Sequence, residues 1–304
     1  MDTLTTKPSR LEYIEVAPGI HLHVRDWGEG RPVVLIHGWP LSNDMYDYQM
    51  MELVENGFRA ISISLRGFGK SDKPWGAYNY DVFADDTKAV MDQLGLNDAT
   101  LGGFSMGGSI AIHYMARHGA NRVSKLALFG AAAPSWTKRD DYPYGMERAE
   151  ADALINAVSI DRPQLFADFG KSFGLTETSI NPGHADWLHS IGMQASPYAV
   201  AQSLIALRDA DLRLELAAID VPTAIFHAVG DKICPFVFAE EMAKAIKTAK
   251  IIRFENSGHG LFLEEKEKFN RELIGFAGEG LYVPREQERE STQGVVTGEY
   301  RTLH

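Results

Sequence analysis

Thr100-Leu101-Gly102-Gly103-Phe104-Ser105-Met106-Gly107-Gly108-Ser109-Ile110-Ala111 joins an apolar run to a stretch of helical spacing, and a serine stands at the join. A serine held in so tight a turn between strand and helix takes a positive φ, which crowds the residues two positions to either side. Gly103 and Gly107 relieve that crowding. Gly108 and Ala111 let the helix approach the sheet closely. The arrangement exposes the Ser105 hydroxyl at the carboxyl end of a strand and the positive end of a helix dipole. With 28 glycines in the chain, such a pattern also arises by accident, leaving a bystander serine in a glycine-rich turn. The surrounding sequence decides between the two readings.

Val33-Val34-Leu35-Ile36 is a short continuous apolar run ending in His37-Gly38, the pattern of a strand buried on both faces of a parallel sheet. Ala60 to Ser64, Ala99 to Phe104, Leu126 to Phe129, Thr223 to Phe226 and Lys250 to Phe254 read the same way, and Leu11 to Val16 and Ile20 to Trp27 flank Pro18-Gly19 as a hairpin. Between them Asp44 to Glu55, Asp81 to Leu94, Met106 to His118 and Pro235 to Ile246 carry apolar residues at helical spacing. Asp44 and Asp81 are the expected N-caps, with Gly57 and Gly95 as stop signals. Phe262, Phe269, Leu273 and Phe276 predict one buried stripe on a last helix. Strands alternating with helices imply an α/β architecture with right-handed crossovers and a mostly parallel sheet. The alternation stops over 135–220, which is rich in aromatics and has no strong strand run; so long a stretch is expected to be a helical insertion over the sheet. The expected organisation is a core from 1–134 and 221–279, the insertion at 135–220 and a polar tail at 280–304.

A serine hydroxyl needs a base, and in this strand–turn–helix setting the acid and then the base follow it along the chain. Of ten histidines, only His259 combines a loop, flanking glycines (Gly258, Gly260) and the carboxyl end of a strand. His21 and His23 alternate on the hairpin, His113 and His118 lie on a helix, His184 and His189 fall in the insertion, His227 in a strand and His304 in the tail. Asp231, after the strand ending at Phe226, is placed to accept from the imidazole Nδ1 and hold the productive tautomer. A plain Gly230-Asp231 turn is the competing reading, with Asp209 and Asp211 as alternative acids. An oxyanion needs two backbone N–H groups aimed at one point. Met106 N–H is the first, and Trp39 N–H, in the loop His37-Gly38-Trp39-Pro40 after an early strand, is the expected second. His37 is expected to brace that loop, Gly38 to give it backbone freedom, and Trp39 to wall an acyl pocket.

Composition narrows the partners. A net charge of −11 argues against nucleic acid and anionic membranes. No run approaches a spanning helix. Met1 to Arg10 is followed by no apolar stretch, so no secretory signal is expected, and the one cysteine, Cys234, excludes an intrachain disulfide. These point to a cytoplasmic protein acting on a small molecule. His-Glu-X-X-His, Cys-X-X-Cys, Gly-X-Gly-X-X-Gly and Walker-type patterns are absent, so no metal and no cofactor is expected. The oligomeric state stays open, a homo-oligomer included.

His37-Gly38-Trp39-Pro40, Arg66-Gly67-Phe68-Gly69-Lys70-Ser71-Asp72, Tyr80-Asp81 with Phe83-Ala84-Asp85-Asp86, and Gly103-Phe104-Ser105-Met106-Gly107 occur in that order. Together they resemble the α/β-hydrolase superfamily, and within it the cofactor-free (non-haem) chloroperoxidase, or esterase/perhydrolase, branch; the likeness covers about 30–134 and 220–276. The resemblance implies an eight-stranded, mostly parallel sheet, a Ser105–Asp231–His259 triad and Trp39/Met106 oxyanion donors. It implies ester hydrolysis through an acyl-enzyme, with hydrogen peroxide able to replace water and give a peracid that oxidises halide without a metal. Carbon–carbon bond hydrolysis and lactone opening are alternatives on the same fold, as is a low-turnover ligand receptor. Haloalkane dehalogenases and epoxide hydrolases are disfavoured because they place Asp where Ser105 stands. The insertion and the tail match none of these motifs.

Overall fold

The apolar runs are buried on both faces, as strands inside a covered parallel sheet must be: every residue of Ala99–Phe104 and Thr223–Ala228 is inaccessible. The computed structural model describes residues 10–278. In chain order it contains β1 (Tyr13–Ala17), β2 (Ile20–Trp27), β3 (Pro32–Ile36), α1 (Asp47–Glu55), β4 (Arg59–Ile63), α2 (Tyr80–Gln93), β5 (Ala99–Phe104), α3 (Met106–His118) and β6 (Val123–Phe129). There follow α4 (Arg148–Lys171), α5 (Pro182–Met193), α6 (Pro197–Asp209), β7 (Thr223–Ala228), α7 (Val237–Ala245), β8 (Ala249–Phe254), α8 (Leu261–Glu264) and α9 (Lys266–Ala277). The strands form one eight-stranded sheet in the order β1-β2-β4-β3-β5-β6-β7-β8. β2 pairs antiparallel with β1 and β4, and all other pairs are parallel. The order reverses between β3 and β5, and the crevice beyond the carboxyl ends of the strands at such a point is where open α/β sheets bind ligands. The loops that leave there are 37–42 and the turn at Ser105.

The chain between β6 and β7 holds α4, α5 and α6, and α4 packs against both of the others. It also holds a small ribbon that the sequence pattern did not announce, with bridges Thr137–Met146 and Arg139–Tyr142. α4 consists of two helical segments meeting at Asp161, whose φ of −153° and ψ of 83° are not helical. The Asp161 carboxylate accepts from Gln164 N–H at 3.0 Å and so caps the second segment. The polar tail at 280–304, His304 included, and the first nine residues lie outside the described residues.

Two sequence expectations need correction. The caps are Ser42 and Asn79, not Asp44 and Asp81: Ser42 Oγ accepts from Asp44 N–H, and Asn79 Oδ1 from Val82 N–H at 3.0 Å. Both aspartates sit two residues past their caps, in the first turn, where a carboxylate still meets the positive end of the helix, and their side chains pair with Arg25 and with Arg117 and His113. The last stripe is also broken. Phe262 belongs to the separate short α8, and Phe276 is only half-buried, with Lys125 and Lys250 over its ring. Phe269 anchors α9 instead, its ring 4.9 Å from Phe129, 5.4 Å from Phe226 and 6.1 Å from Phe254, on three adjacent strands. Gly57 and Gly95 do end their helices at positive φ, 81° and 61°.

A buried fork ties the loop after β4 to α2. Arg66 Nε and Nη2 each donate to Asp86 at 2.6 Å, and both residues are nearly inaccessible. Burial raises the Asp86 carboxyl and the facing guanidinium pulls it back down. Asp86→Ala would leave Arg66 buried without its partner, which costs about 3–5 kcal/mol in comparable pairs. Urea unfolding should show that loss as a lower midpoint at unchanged slope; a midpoint within experimental error of the parent would contradict the assignment.

Candidate active site

Ser105 has φ 54° and ψ −118°, in a region that L-residues rarely occupy. Such a position costs on the order of 1–3 kcal/mol and persists only where the surroundings impose it. Here they do. A Cβ on Gly103 would lie 2.2 Å from Gly107 O, and one on Gly107 would lie 2.4 Å from Ile36 O and 2.5 Å from His37 O. Both glycines are thus places where backbone meets backbone. Ser105 N–H donates to Phe129 O at 2.9 Å, and Ser105 O accepts from Gly108 and Ala132 N–H. The serine stands at the N-cap position of α3, yet its side chain makes no capping bond.

Gly38 differs from expectation. It has no left-handed φ; instead, a Cβ there would meet the Phe104 ring at 2.7 Å and Ser105 Cβ at 3.0 Å. It is a point of close approach that seats the loop after β3 directly on the serine. Among the described residues, neither Trp39 N–H nor Met106 N–H donates to a backbone acceptor, so both stay available beside Ser105. His37 braces this loop: Nε2 accepts from Leu65 N–H at 3.0 Å, which leaves Nδ1–H to donate to Gly38 O at 2.9 Å. The Trp39 ring donates from Nε1 to Val200 O at 3.1 Å and packs edge-on against Phe166 and Phe169.

His259 and Asp231 come together across 28 residues of sequence: Nδ1 lies 2.7 Å from Asp231 Oδ2, with both side chains buried. A proton on Nδ1 leaves the lone pair on Nε2. The other carboxylate oxygen, Oδ1, accepts from Ile233 N–H at 2.9 Å and Cys234 N–H at 2.8 Å, so the acid is fixed by its own loop. A Cβ on Gly130, at the end of β6, would lie 3.4 Å from both Asp231 Oδ2 and His259 Nδ1. The hydrogen bonds among the described residues do not include one between Ser105 and His259. The alternative acids stand elsewhere, Asp209 paired with Arg148 and Arg208, and Asp211 with Arg213.

A model of the alpha/beta hydrolase fold matches residues 31–266. The chain belongs to this family. It is 50% identical over 265 residues to the AB hydrolase superfamily protein YisY of Bacillus subtilis, covering 87% of this chain and 98% of that protein. It is 34% identical to a non-haem chloroperoxidase of Kitasatospora aureofaciens, over 85% of this chain and 96% of that one, which supports the chloroperoxidase-like branch. An esterase from Exiguobacterium antarcticum has the same fold with a TM-score of 0.85, at 46% identity over 88% of this chain and 98% of that chain.

Further side chains pack around His259 and Asp231 of this α/β hydrolase. Phe104, the residue before the serine, packs its ring 4.7 Å from His259, and Phe173 meets the imidazole edge-on at 5.4 Å. Cys234 is fully buried; burial pushes its thiol well up, the Asp231 carboxylate adds to that, and hydrogen bonding with the Ser105 side chain opposes both. The strand histidine, His227, donates from Nε2 to Cys234 O at 2.8 Å and is held neutral chiefly by burial. None of these carries a local signal, since each depends on a contact made across the fold. Among the described residues no group of His, Cys, Asp and Glu could hold a metal ion, and no helix is long and apolar enough to cross a membrane.

His37 makes the site's scaffold sensitive to acid. Burial lowers its pKa from 6.5 to about 4. Its neutral form is therefore favoured by folding, and that stability is fully present above pH 6.5 and lost as pH falls towards 4. The amount is roughly 3 kcal/mol. Stability measured by urea unfolding from pH 7 to 4.5 should fall more steeply for the parent than for His37→Asn. Equal slopes would refute the assignment.

Proposed function

We propose that this α/β hydrolase cleaves carboxylic esters through an acyl-enzyme on Ser105. The observation that carries the reading is the buried His259–Asp231 pair, 2.7 Å apart, at the same end of the sheet as a positive-φ serine whose hydroxyl caps nothing. In this reading His259 Nε2 takes the Ser105 proton as Oγ attacks the carbonyl carbon. Trp39 and Met106 N–H groups hold the oxyanion, and Asp231 stabilises the imidazolium. His259 then protonates the leaving alcohol. Water activated by the same imidazole attacks the acyl-enzyme and releases the acid and the serine. The esterase among the structural relatives supports this chemistry. The chloroperoxidase relative supports a second acceptor: hydrogen peroxide in place of water would release a peracid, and bromination that depends on both peroxide and a carboxylic acid tests that step.

The chain between β6 and β7 is proposed as the lid. A cavity of about 270 Å³ lies among α4, α5 and the loop between them. Phe166, Phe169, Phe173, Leu188 and Pro40 give it apolar walls, and Phe173 also touches His259. This suits the apolar part of a neutral ester. Gly192 faces the cavity between Phe166 and Pro40, where a Cβ would already lie 3.3 Å from each.

Ser105→Ala should lower turnover of p-nitrophenyl acetate by at least about 10⁴-fold and abolish labelling by a fluorophosphonate, whose adduct in the parent should map to Ser105. Full activity in the variant, or an adduct elsewhere, would sink the scheme. Gly192→Leu should raise KM for p-nitrophenyl octanoate by about tenfold while leaving the acetate unchanged. Equal effects on both esters would place the acyl group outside this cavity.

A further inference from the structure

We infer that Glu264 is a positioning residue for His259, which makes turnover depend on the 173–180 segment being clasped to the histidine loop; this rests on His259 acting as the base. Glu264 ends α8, five residues after the histidine. Its Oε2 accepts at 2.7 Å from the N–H of Gly258, the residue before His259. Its Oε1 accepts from Leu175 N–H at 2.8 Å and Ser179 Oγ at 2.5 Å, both in the loop between α4 and α5. One carboxylate thus joins the histidine loop to the loop that follows α4.

The surfaces it joins have been cleared of side chains. A Cβ on Gly258 would lie 2.4 Å from the Gly174 carbonyl carbon, and one on Gly260 would lie 2.8 Å from Ile180 Cδ1 and 3.0 Å from the Phe173 ring. Gly230, beside the acid, leaves room for Leu175, which a Cβ would meet at 2.3 Å. Gly260 N–H donates to Phe173 O at 2.8 Å, and Lys232 Nζ donates to Leu175 O at 3.1 Å. Phe173 is then pressed edge-on against the imidazole. The same segment carries Phe173, Glu177 and Ile180 on the cavity wall. The residues that flank His259 in the chain, Gly258 and Gly260, are therefore both tied to the segment that Glu264 clasps, and that segment lines the proposed acyl cavity.

A carboxylate accepts all three bonds, whereas a carboxamide must point its NH₂ at one of the donors. Misplacing a catalytic group by about 1 Å can cost on the order of 10²-fold in rate. For p-nitrophenyl acetate, Glu264→Gln should lower kcat by about 10- to 100-fold per active site, counted by fluorophosphonate titration, with KM within about twofold of the parent. Ser179→Ala, which removes one of the three donors, should lower kcat by a smaller factor in the same direction and serves if Glu264→Gln does not fold. Unchanged kcat per titrated site in whichever of these variants folds, with only a lower melting temperature, overturns the inference and makes Glu264 a structural brace. The parent and Ser105→Ala are assayed alongside: a parent that neither turns over esters nor labels at Ser105 refutes the esterase reading, and this inference with it. A parent active only through Ser105 beside an unimpaired Glu264→Gln refutes this inference alone.

Discussion

Gly103 and Gly107 touch backbone to backbone across Ser105, and the rest of the site is arranged around that contact. The turn brings the first peptides of α3 against the carbonyls of Ile36 and His37 at the end of β3, so the two strands flanking the point of sheet reversal are locked at their carboxyl ends. Ser105 N–H reaches over to Phe129 on β6, and Ser105 O to Ala132 beyond it. A residue in an unfavourable φ region is thus held by bonds to β6 and the chain just beyond it on one side, and by close backbone packing against the end of β3 on the other. The unfavourable backbone keeps the hydroxyl off the helix cap, and among the described residues no backbone acceptor takes the N–H of Trp39 or Met106.

The acid–base pair is built by another device. Asp231 and His259 leave neighbouring strands, β7 and β8, and neither is positioned by a strained turn. Asp231 is pinned by the N–H groups of its own loop, and His259 by rings: Phe104 on one side, Phe173 on another. Phe104 is adjacent in sequence to the serine, so the strand that presents Ser105 also packs against His259. Phe173 comes from the segment between β6 and β7, so that segment belongs to the site's geometry as well as covering it.

The strands were legible because burial on both faces leaves a continuous apolar run, and the order Ser105, Asp231, His259 was legible because each follows such a run. Both helix caps stand two residues before the aspartates that the sequence suggests. Asp and Asn or Ser are equally good caps, and which one accepts the N–H depends on where the preceding loop lets the helix begin. Gly38 was recognised as necessary for the wrong reason, since sequence does not distinguish a glycine needed for φ from one needed for space. Glu264 and Cys234 gave no signal at all. Glu264 reads as one acid in the run Glu264-Glu265-Lys266-Glu267 that any exposed helix could carry, and two of its three partners lie 85 and 89 residues away. The ribbon at 137–146 was missed because isolated bridges need no alternation of apolar and polar residues.

Cys234 shows how the fold separates two potential nucleophiles placed side by side. A thiol beside a histidine–carboxylate pair would ordinarily be the more reactive of the two, because a thiolate forms far more readily than an alkoxide. Here the thiol is fully buried and faces Asp231, and both factors push its pKa well up, so it stays protonated and adds no charge next to the acid. The serine needs no such shift. In the proposed reaction its proton would pass to His259, and the charge on the carbonyl oxygen would meet the N–H groups of Trp39 and Met106. The burial that keeps Cys234 protonated also strengthens the Asp231–His259 interaction, so a single condition, burial of the acid loop, acts on both.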